Sequence, residues 1–466
     1  MSVMLERRFE RYCVSIMETL GHADRHAPAQ WYLKGLLLPG DRKSVEPMAA
    51  RVCPENVRSA HQSMHHLVAA ADWDDGSVLA AVARQVVPEL LKQAEHCWWI
   101  IDDTGHAKKG RKSVGVGRQY CGRLGKTDNC QVAVSLSLAT AQGSLPLDYR
   151  LYLPQEWTDD RARCDAAGVP AQVDFLSKGQ IARAQIAAAL DRGVARGVVL
   201  ADAAYGNEAA FRDGLSERQL DYVLGVRVTT QVWWGPHQPA PVNPAARGRP
   251  RPHLVRDAPH QPIDVLGLAR ALPAKQWRTL TWREGTNAPR RSRFARVRVR
   301  VAQANRPRAE EWLLIEWPVA ESEPVHYWLS TLPQHTPFKA LVAHAMGRWM
   351  IERDYQELKS ELGLSHYEGR NWRGFHHHAT LCIAAYGFRM LERLRGKKNA
   401  ARFHQPAVPE SFQPRGSRAD AAPRALVDRH PALPPRTRHR TRSTAVPMLR
   451  SRARLAGQED MTYFLT

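Results

Sequence analysis

The 466-residue chain has seven cysteines and no CxxC pair among them. They are scattered singly, as at Cys13, Cys53, Cys97 and Cys382, which argues against a zinc ribbon and a disulfide framework and fits a reducing cytoplasm. No long apolar run, signal-peptide pattern or basic amphipathic helix is visible, so no membrane partner is expected. Acidic residues are scarce. The 46 Asp and Glu stand against 67 Lys and Arg, for a formal charge of +21 and a pI near 10.0. That imbalance is too large for an ordinary enzyme of neutral substrates and points to a polyanion, nucleic acid first. No clean helix-turn-helix signature marks a recognition helix.

The length allows two or three domains. Residues 1–93 read as helical and touching DNA: Phe9–Leu20 and Val78–Leu91 carry apolar residues at three- and four-residue spacing, and Pro39-Gly40 punctuates between helices. The texture changes at Cys97-Trp98-Trp99-Ile100-Ile101, a buried-strand run that delivers Asp102 and Asp103 to its end. Lys108 and Lys109 follow in a Gly-containing loop, a cationic rim beside the acids. Strands are expected over Gln131–Leu138 and Leu145–Leu153, and a helix over Gly179–Arg192. Val198–Ala201 is a second buried-strand pattern, ending in Asp202. From 228 to 332 the rhythm becomes mainly β, with strands at Ser292–Val301, Trp312–Trp317 and His326–Ser330 and Pro- and Arg-rich connections such as Pro236–Pro252. Most of its tryptophans read as core, and one or two as platforms for an unstacked base.

The stretch Gly347–Leu364 reads as a helix. Arg348, Glu352 and Lys359 stand four and then seven residues apart on one face. Taken alone, this is a solvated charged helix. Beside strand-end acids it becomes a carboxylate flanked by cations, suited to an ion and to DNA phosphates. His376-His377-His378 then enters a second amphipathic helix. Consecutive helical side chains fan 100° apart, so one ion cannot take all three, and we expect helix surface with one buried His. The Pro/Arg-rich tail 396–466, with Arg436, Arg438, Arg440 and Arg442 in alternation, reads as disordered with non-specific DNA affinity.

Carboxylates at two strand ends and on one helix, without nitrogen or sulfur ligands, suit Mg²⁺ or Mn²⁺. Two such ions can activate an attacking oxygen and stabilise a leaving one in displacement at phosphorus. These segments resemble the DDE transposases of bacterial insertion sequences. The branch in question carries a Tyr-x-x-Arg-x-x-x-Glu-x-x-x-x-x-x-Lys signature, which Arg348, Glu352 and Lys359 match and Ala345, at the Tyr position, does not. Ile100-Ile101-Asp102-Asp103-Thr104 resembles the first-acid segment, in which the acid next to Thr is the ligand; Asp103 is therefore chosen over Asp102. Leu200-Ala201-Asp202-Ala203-Ala204-Tyr205-Gly206 resembles the second-acid segment, and Trp328 sits where the family keeps a base-stacking Trp.

The resemblance, over residues 95–395, implies an α/β fold with a ribonuclease-H-like core (94–227 and 333–395) interrupted by an all-β insertion (228–332). It implies catalytic, metal-holding Asp103, Asp202 and Glu352 with two Mg²⁺ or Mn²⁺ ions. Arg348 and Lys359 would hold phosphates, and Arg370 and Arg373 would extend that track. The implied activity is cutting at terminal inverted repeats and joining the 3′ ends to target DNA, by a synaptic homodimer at the bacterial nucleoid. A nuclease of the same fold without strand transfer, and an inactive DNA-binding remnant, are the alternatives.

Overall fold

The structure, a computed structural model, describes residues 3–235, 238, 260–283, 290–302 and 308–403. The described residues fall within one compact unit. The connection Pro236–Pro252, apart from residue 238, and residues 404–466 lie outside the described residues.

Five helices come first: α1 (Val3–Met17), α2 (His26–Leu37), α3 (Val45–Val52), α4 (Val57–Ala69) and α5 (Asp75–Leu91). The expected spacing produces them. Phe9, Tyr12, Cys13 and Ile16 form the buried stripe of α1, and Asp74 caps α5 by accepting the Ser77 N–H at 2.7 Å. Next come β1 (Trp98–Ala107), β2 (Gly117–Cys121), β3 (Lys126–Thr140), β4 (Gly143–Tyr152), α6 (Gln155–Thr158), α7 (Arg161–Ala166), α8 (Lys178–Asp191) and β5 (Val198–Ala201). After them run α9 (Ala203–Gly206), α10 (Ala209–Glu217), β6 (Tyr222–Val226), β7 (Gln231–Trp233), β8 (Ile263–Asp264), α11 (Val265–Ala271), β9 (Arg278–Arg283), β10 (Arg290–Val301), β11 (Glu310–Trp317) and β12 (His326–Ser330). The described chain closes with α12 (Phe338–Met346), α13 (Trp349–Ser360) and α14 (Trp372–Phe403).

The described strands form one mixed sheet in the order β2-β3-β1-β5-β6-β12-β11-β10-β7-β8, with β4 also on β3 and β9 on β10. Only β1–β5 and β5–β6 are parallel among its pairs. Trp98–Ile101 is apolar throughout because β1 is central, flanked by β3 and β5. The mainly β segment joins the rest edge to edge, through β12 on β6; Tyr222–Val226, which makes that joint, was not singled out from sequence. In β10, Val297, Val299 and Val301 are buried while Arg296, Arg298 and Arg300 are half-buried, the alternation of a strand with one polar face.

Several expectations need correction. β1 runs on to Ala107, so Asp102 and Asp103 lie mid-strand, with β3 pairing beyond them. Only the parallel partner β5 stops near the acids, at Ala201. The helix expected at Gly347–Leu364 is α13, shorter at both ends; Arg348 is its N-cap, and Gly347-Arg348 joins it to α12. Gly347 is needed there: a Cβ would lie 3.0 Å from both Leu200 and the Trp98 ring. α14 runs to Phe403, so Gly396 continues a helix.

All three histidines of the triplet are buried, not one. α14 is a central helix, wholly buried over Leu381–Tyr386 and packed on α5, α2, α4 and β4, so it has little outer face. Each ring has its own partners. His376 accepts the Leu151 N–H at 3.2 Å and donates to the Trp372 carbonyl at 2.9 Å. His378 pairs with the Tyr32 hydroxyl at 2.8 Å and the Gly363 carbonyl at 2.9 Å. His377 stacks on Trp73 with centroids 3.6 Å apart.

Candidate active site

A cleft of about 1300 Å³ opens where β5 ends, bounded by β1, α8, α9 and α13. It is lined by five carboxylates (Asp41, Asp102, Asp103, Asp202, Glu352) and three fixed cations (Lys178, Arg348, Lys359). Five minus three leaves an excess of two acids on the wall of a cleft in a chain of net charge +21. A site that handles polyanions with such a wall needs added cations.

Strand geometry divides the acid doublet. Asp102 and Asp103 are neighbours on β1 and project to opposite faces. On Asp102's face, Arg348 donates to its carboxylate at 2.9 Å. On Asp103's face, Lys178 donates to it at 2.5 Å and the Tyr205 hydroxyl donates to its other oxygen. Burial pushes the Asp102 carboxyl up to about 6; Arg348 opposes the rise, and Asp202 and Asp103 add to it. Burial, and then Asp103, hold the Tyr205 phenol well above its usual range, so it keeps the proton it donates.

Asp202 follows β5 directly and caps α9, accepting the Ala204 N–H at 2.9 Å. The parallel register pairs Ile100 with Leu200 and Ala201 with Leu224. Continued past β5, it sets Asp202 between Asp102 and Gly225. The chain has left the sheet by then: a Cβ on Gly225 would lie 3.0 Å from the Ala203 N and 3.4 Å from the Asp202 Cα, closer than the ~4.8 Å between paired strands. Gly225 in turn pairs with Trp328, and Trp328 with Leu314. The row across the sheet thus runs from Asp102 past the end of β5, where Asp202 caps α9, to the Gly225–Trp328 pair. Gly225 is covered by the start of α9, and its missing side chain is what lets the Asp202–Ala203 backbone approach β6 so closely.

Glu352 stands one turn after Arg348, the two side chains 4.0 Å apart, and is 67% exposed at the cleft mouth. Lys359 lines the same wall, with its ammonium 6.0 Å from the Tyr355 ring. The other expected DNA contacts stand apart from this cleft. Lys108 donates to the Tyr367 carbonyl at 2.8 Å, and Lys109 lines a separate 480 Å³ cleft with Arg111, Arg118 and Arg163. Arg370 lines a 630 Å³ cleft with Lys43, His61 and His65, which meets the first at His366. The Arg373 guanidinium is occupied by the Ala70 carbonyl at 2.7 Å and Asp72 at 2.8 Å. Trp328 lies in mid-strand, half-buried and 5.7 Å from the His326 ring; α12 separates its strand from α13.

The donor set is all carboxylate oxygen, which fits a hard divalent cation. Among the described residues no three His, Cys, Asp or Glu side chains already stand in a metal-holding group. The pairings explain this: Asp102 and Asp103 each face a cation, Asp202 faces the first turn of α9, and Glu352 reaches into solvent. Lys178 in the cleft wall and the buried Tyr205 behind it, both bonded to Asp103, were not read as site residues from sequence. Tyr205 had a signal, the Asp-x-x-Tyr spacing that returns a side chain to the same end of a one-turn helix. Lys178 had none.

The sequence model of the DDE superfamily endonuclease family matches residues 15–289, more than half of the chain, and the chain belongs to that family. The matched span includes the first two acid segments and ends before Glu352. Further, the chain is 27% identical over 330 residues to a probable transposase for insertion sequence element IS701 from Microchaete diplosiphon, covering 70% of this chain and 72% of that protein. The resemblance to insertion-sequence transposases therefore extends well beyond the acid motifs. No helix among the described residues is long and apolar enough to cross a membrane.

Proposed function

We propose that the chain is a transposase that cuts at the inverted-repeat ends of its insertion sequence and joins the 3′ ends to target DNA as a synaptic homodimer. In this reading β1–β6 with α12–α14 are a ribonuclease-H-like core. The β7–β12 segment is its β insertion, the α1–α5 layer contacts DNA, and the basic tail adds non-specific affinity. Asp103, Asp202 and Glu352 are the catalytic carboxylates. A pair of Mg²⁺ or Mn²⁺ ions held by them would supply Lewis acidity to the attacking and leaving oxygens.

The chain's own residues do the rest. Arg348 and Lys359, one turn before and two turns after Glu352, hold phosphates flanking the scissile one. Arg370, in the adjoining cleft, continues that track toward α4, with Arg373, Lys108 and Lys109 as outlying contacts. Trp328, half-buried on β12, receives a base turned out of the duplex. The observation that carries the reading is the carboxylate excess in a cleft that unites three acid segments and two signature cations.

A second assignment at the doublet is favoured by a specific observation. Asp102, not Asp103, accepts the hydrogen bond from Arg348, the signature cation one turn before Glu352. Under that assignment Asp102 is the first ligand and Asp103 anchors α8 and α9 to β1. A strand-transfer assay with a pre-cut repeat end tests the whole reading: joined product supports a transposase, hydrolysis alone supports a nuclease, and neither supports a DNA-binding remnant.

A further inference from the structure

Lys178 is a cation that the signature residues leave unused. It is the first residue of α8, directly after Ser177, which caps the helix in a reciprocal box with Gln180 at 3.2 and 2.8 Å. The box fixes the first turn and so the root of the lysine stem. A cation at that position opposes the positive end of the helix dipole. Its pair with Asp103, with side chains 32% and 28% exposed, contributes little to stability in such a setting. Helix stability therefore does not explain the lysine. Its place in the cleft lining with Asp202, Arg348 and Glu352 suggests another role.

An ammonium 2.5 Å from one Asp103 oxygen, with the Tyr205 hydroxyl on the other, competes with a divalent ion for that carboxylate, because the two cations repel at close range. We propose that Lys178 is an exchangeable cation. It neutralises Asp103 in the metal-free protein and, when a divalent ion takes that carboxylate, swings on its flexible stem to a phosphate of the bound DNA. This rests on the reading of Asp103 as a metal ligand. No bond is made or broken in the exchange; one salt link replaces another.

Two readouts other than cleavage follow. In Mn²⁺ titrations of the full chain without DNA, Lys178→Met should bind about two- to fivefold more tightly than wild type, the loss of a screened competitor. Lys178→Arg, which keeps the charge, should stay near wild type. In repeat-end binding with Ca²⁺ present, Lys178→Met should lower the salt slope by about one, and without a divalent ion it should leave the slope unchanged. Unchanged or weaker Mn²⁺ binding by Lys178→Met, or a slope change independent of metal, overturns the exchange. Asp202→Asn is the control: if it binds Mn²⁺ as wild type does, the metal-site reading itself fails. If it loses Mn²⁺ while Lys178→Met changes nothing, only the role of Lys178 falls.

Discussion

The guanidinium of Arg348 donates to Asp102 at 2.9 Å across 246 residues of sequence, and lies 4.0 Å from Glu352 on its own helix. One side chain thus ties the start of α13 to β1 and stands between the first and third acid segments. Replacing it by Ala should slow end cleavage at least tenfold and reduce the salt slope of end binding by about one. Lysine should recover the slope but not the rate, because an ammonium lacks the planar fork. Full activity in Arg348→Ala would remove the cation from the site.

The doublet is resolved by paired substitutions. Under the motif-based assignment, Asp103→Asn abolishes cleavage and Asp102→Asn slows it. Under the other the order reverses, and Asp103→Asn lowers thermal stability by loosening Lys178 and Tyr205. Measuring melting beside cleavage for both variants separates the two.

Much of this was legible in sequence because the signals were local. Val198–Ala201 forms the strand its apolar run specified, and His326–Ser330 does the same. Arg348 and Glu352 meet as their four-residue spacing requires. What sequence did not carry was non-local. The continuation of β1 past its acids depends on β3, 33 residues away at Ser135, whose hydroxyl donates to the Asp102 carbonyl. The row from Asp102 to Trp328 depends on Tyr222–Val226, a short strand with no alternating pattern because it is buried throughout. The triplet histidines looked like surface because their burial depends on helices α2, α4 and α5 covering α14.

Trp328→Ala should leave melting nearly unchanged, since the ring is only half-buried, and should allow first-strand nicking. Steps that need a flipped base should slow by roughly ten- to a hundredfold, the worth of one base–aromatic stack. Early melting, or all steps at the normal rate, would assign Trp328 to packing.

Gly206→Ala places a methyl 1.9 Å from the Gly225 carbonyl oxygen, a backbone atom that cannot turn aside. α9 must move off β6 and carry Asp202 with it. We expect a loss of about 1–3 kcal/mol in stability and a larger proportional loss of cleavage than of end binding. A variant with wild-type melting and rate would show that Asp202 tolerates displacement.

Stability should fall on acidification below about pH 6.5, because three buried histidines outweigh the opposing contribution of Asp102, whose carboxyl is pushed up to about 6. Burial holds His344, His376 and His378 each down to about 4, against 6.5 when unfolded. The hydrogen bonds agree: Trp98 donates to His344 at 2.9 Å and the Leu151 amide donates to His376, so those nitrogens carry no proton. Below 6.5 the unfolded chain binds protons that the folded chain refuses. The stability present above pH 6.5 is therefore lost as pH falls toward 4, by at most roughly 1.4 kcal/mol per pH step for each ring. Melting temperature measured from pH 7.5 to 4.5 checks this, and a flat profile contradicts it.

The most direct measurement is nicking of a duplex carrying the element's terminal repeat, with Mg²⁺, with Mn²⁺ and with chelator, by wild type, Asp202→Asn and Glu352→Gln. Cleavage is expected only with a divalent ion, and each variant should lose roughly a thousandfold or more in rate while binding the repeat within a few fold of wild type. Cleavage in chelator, or a Glu352→Gln protein that nicks at the wild-type rate, would contradict a carboxylate-held metal site in this cleft.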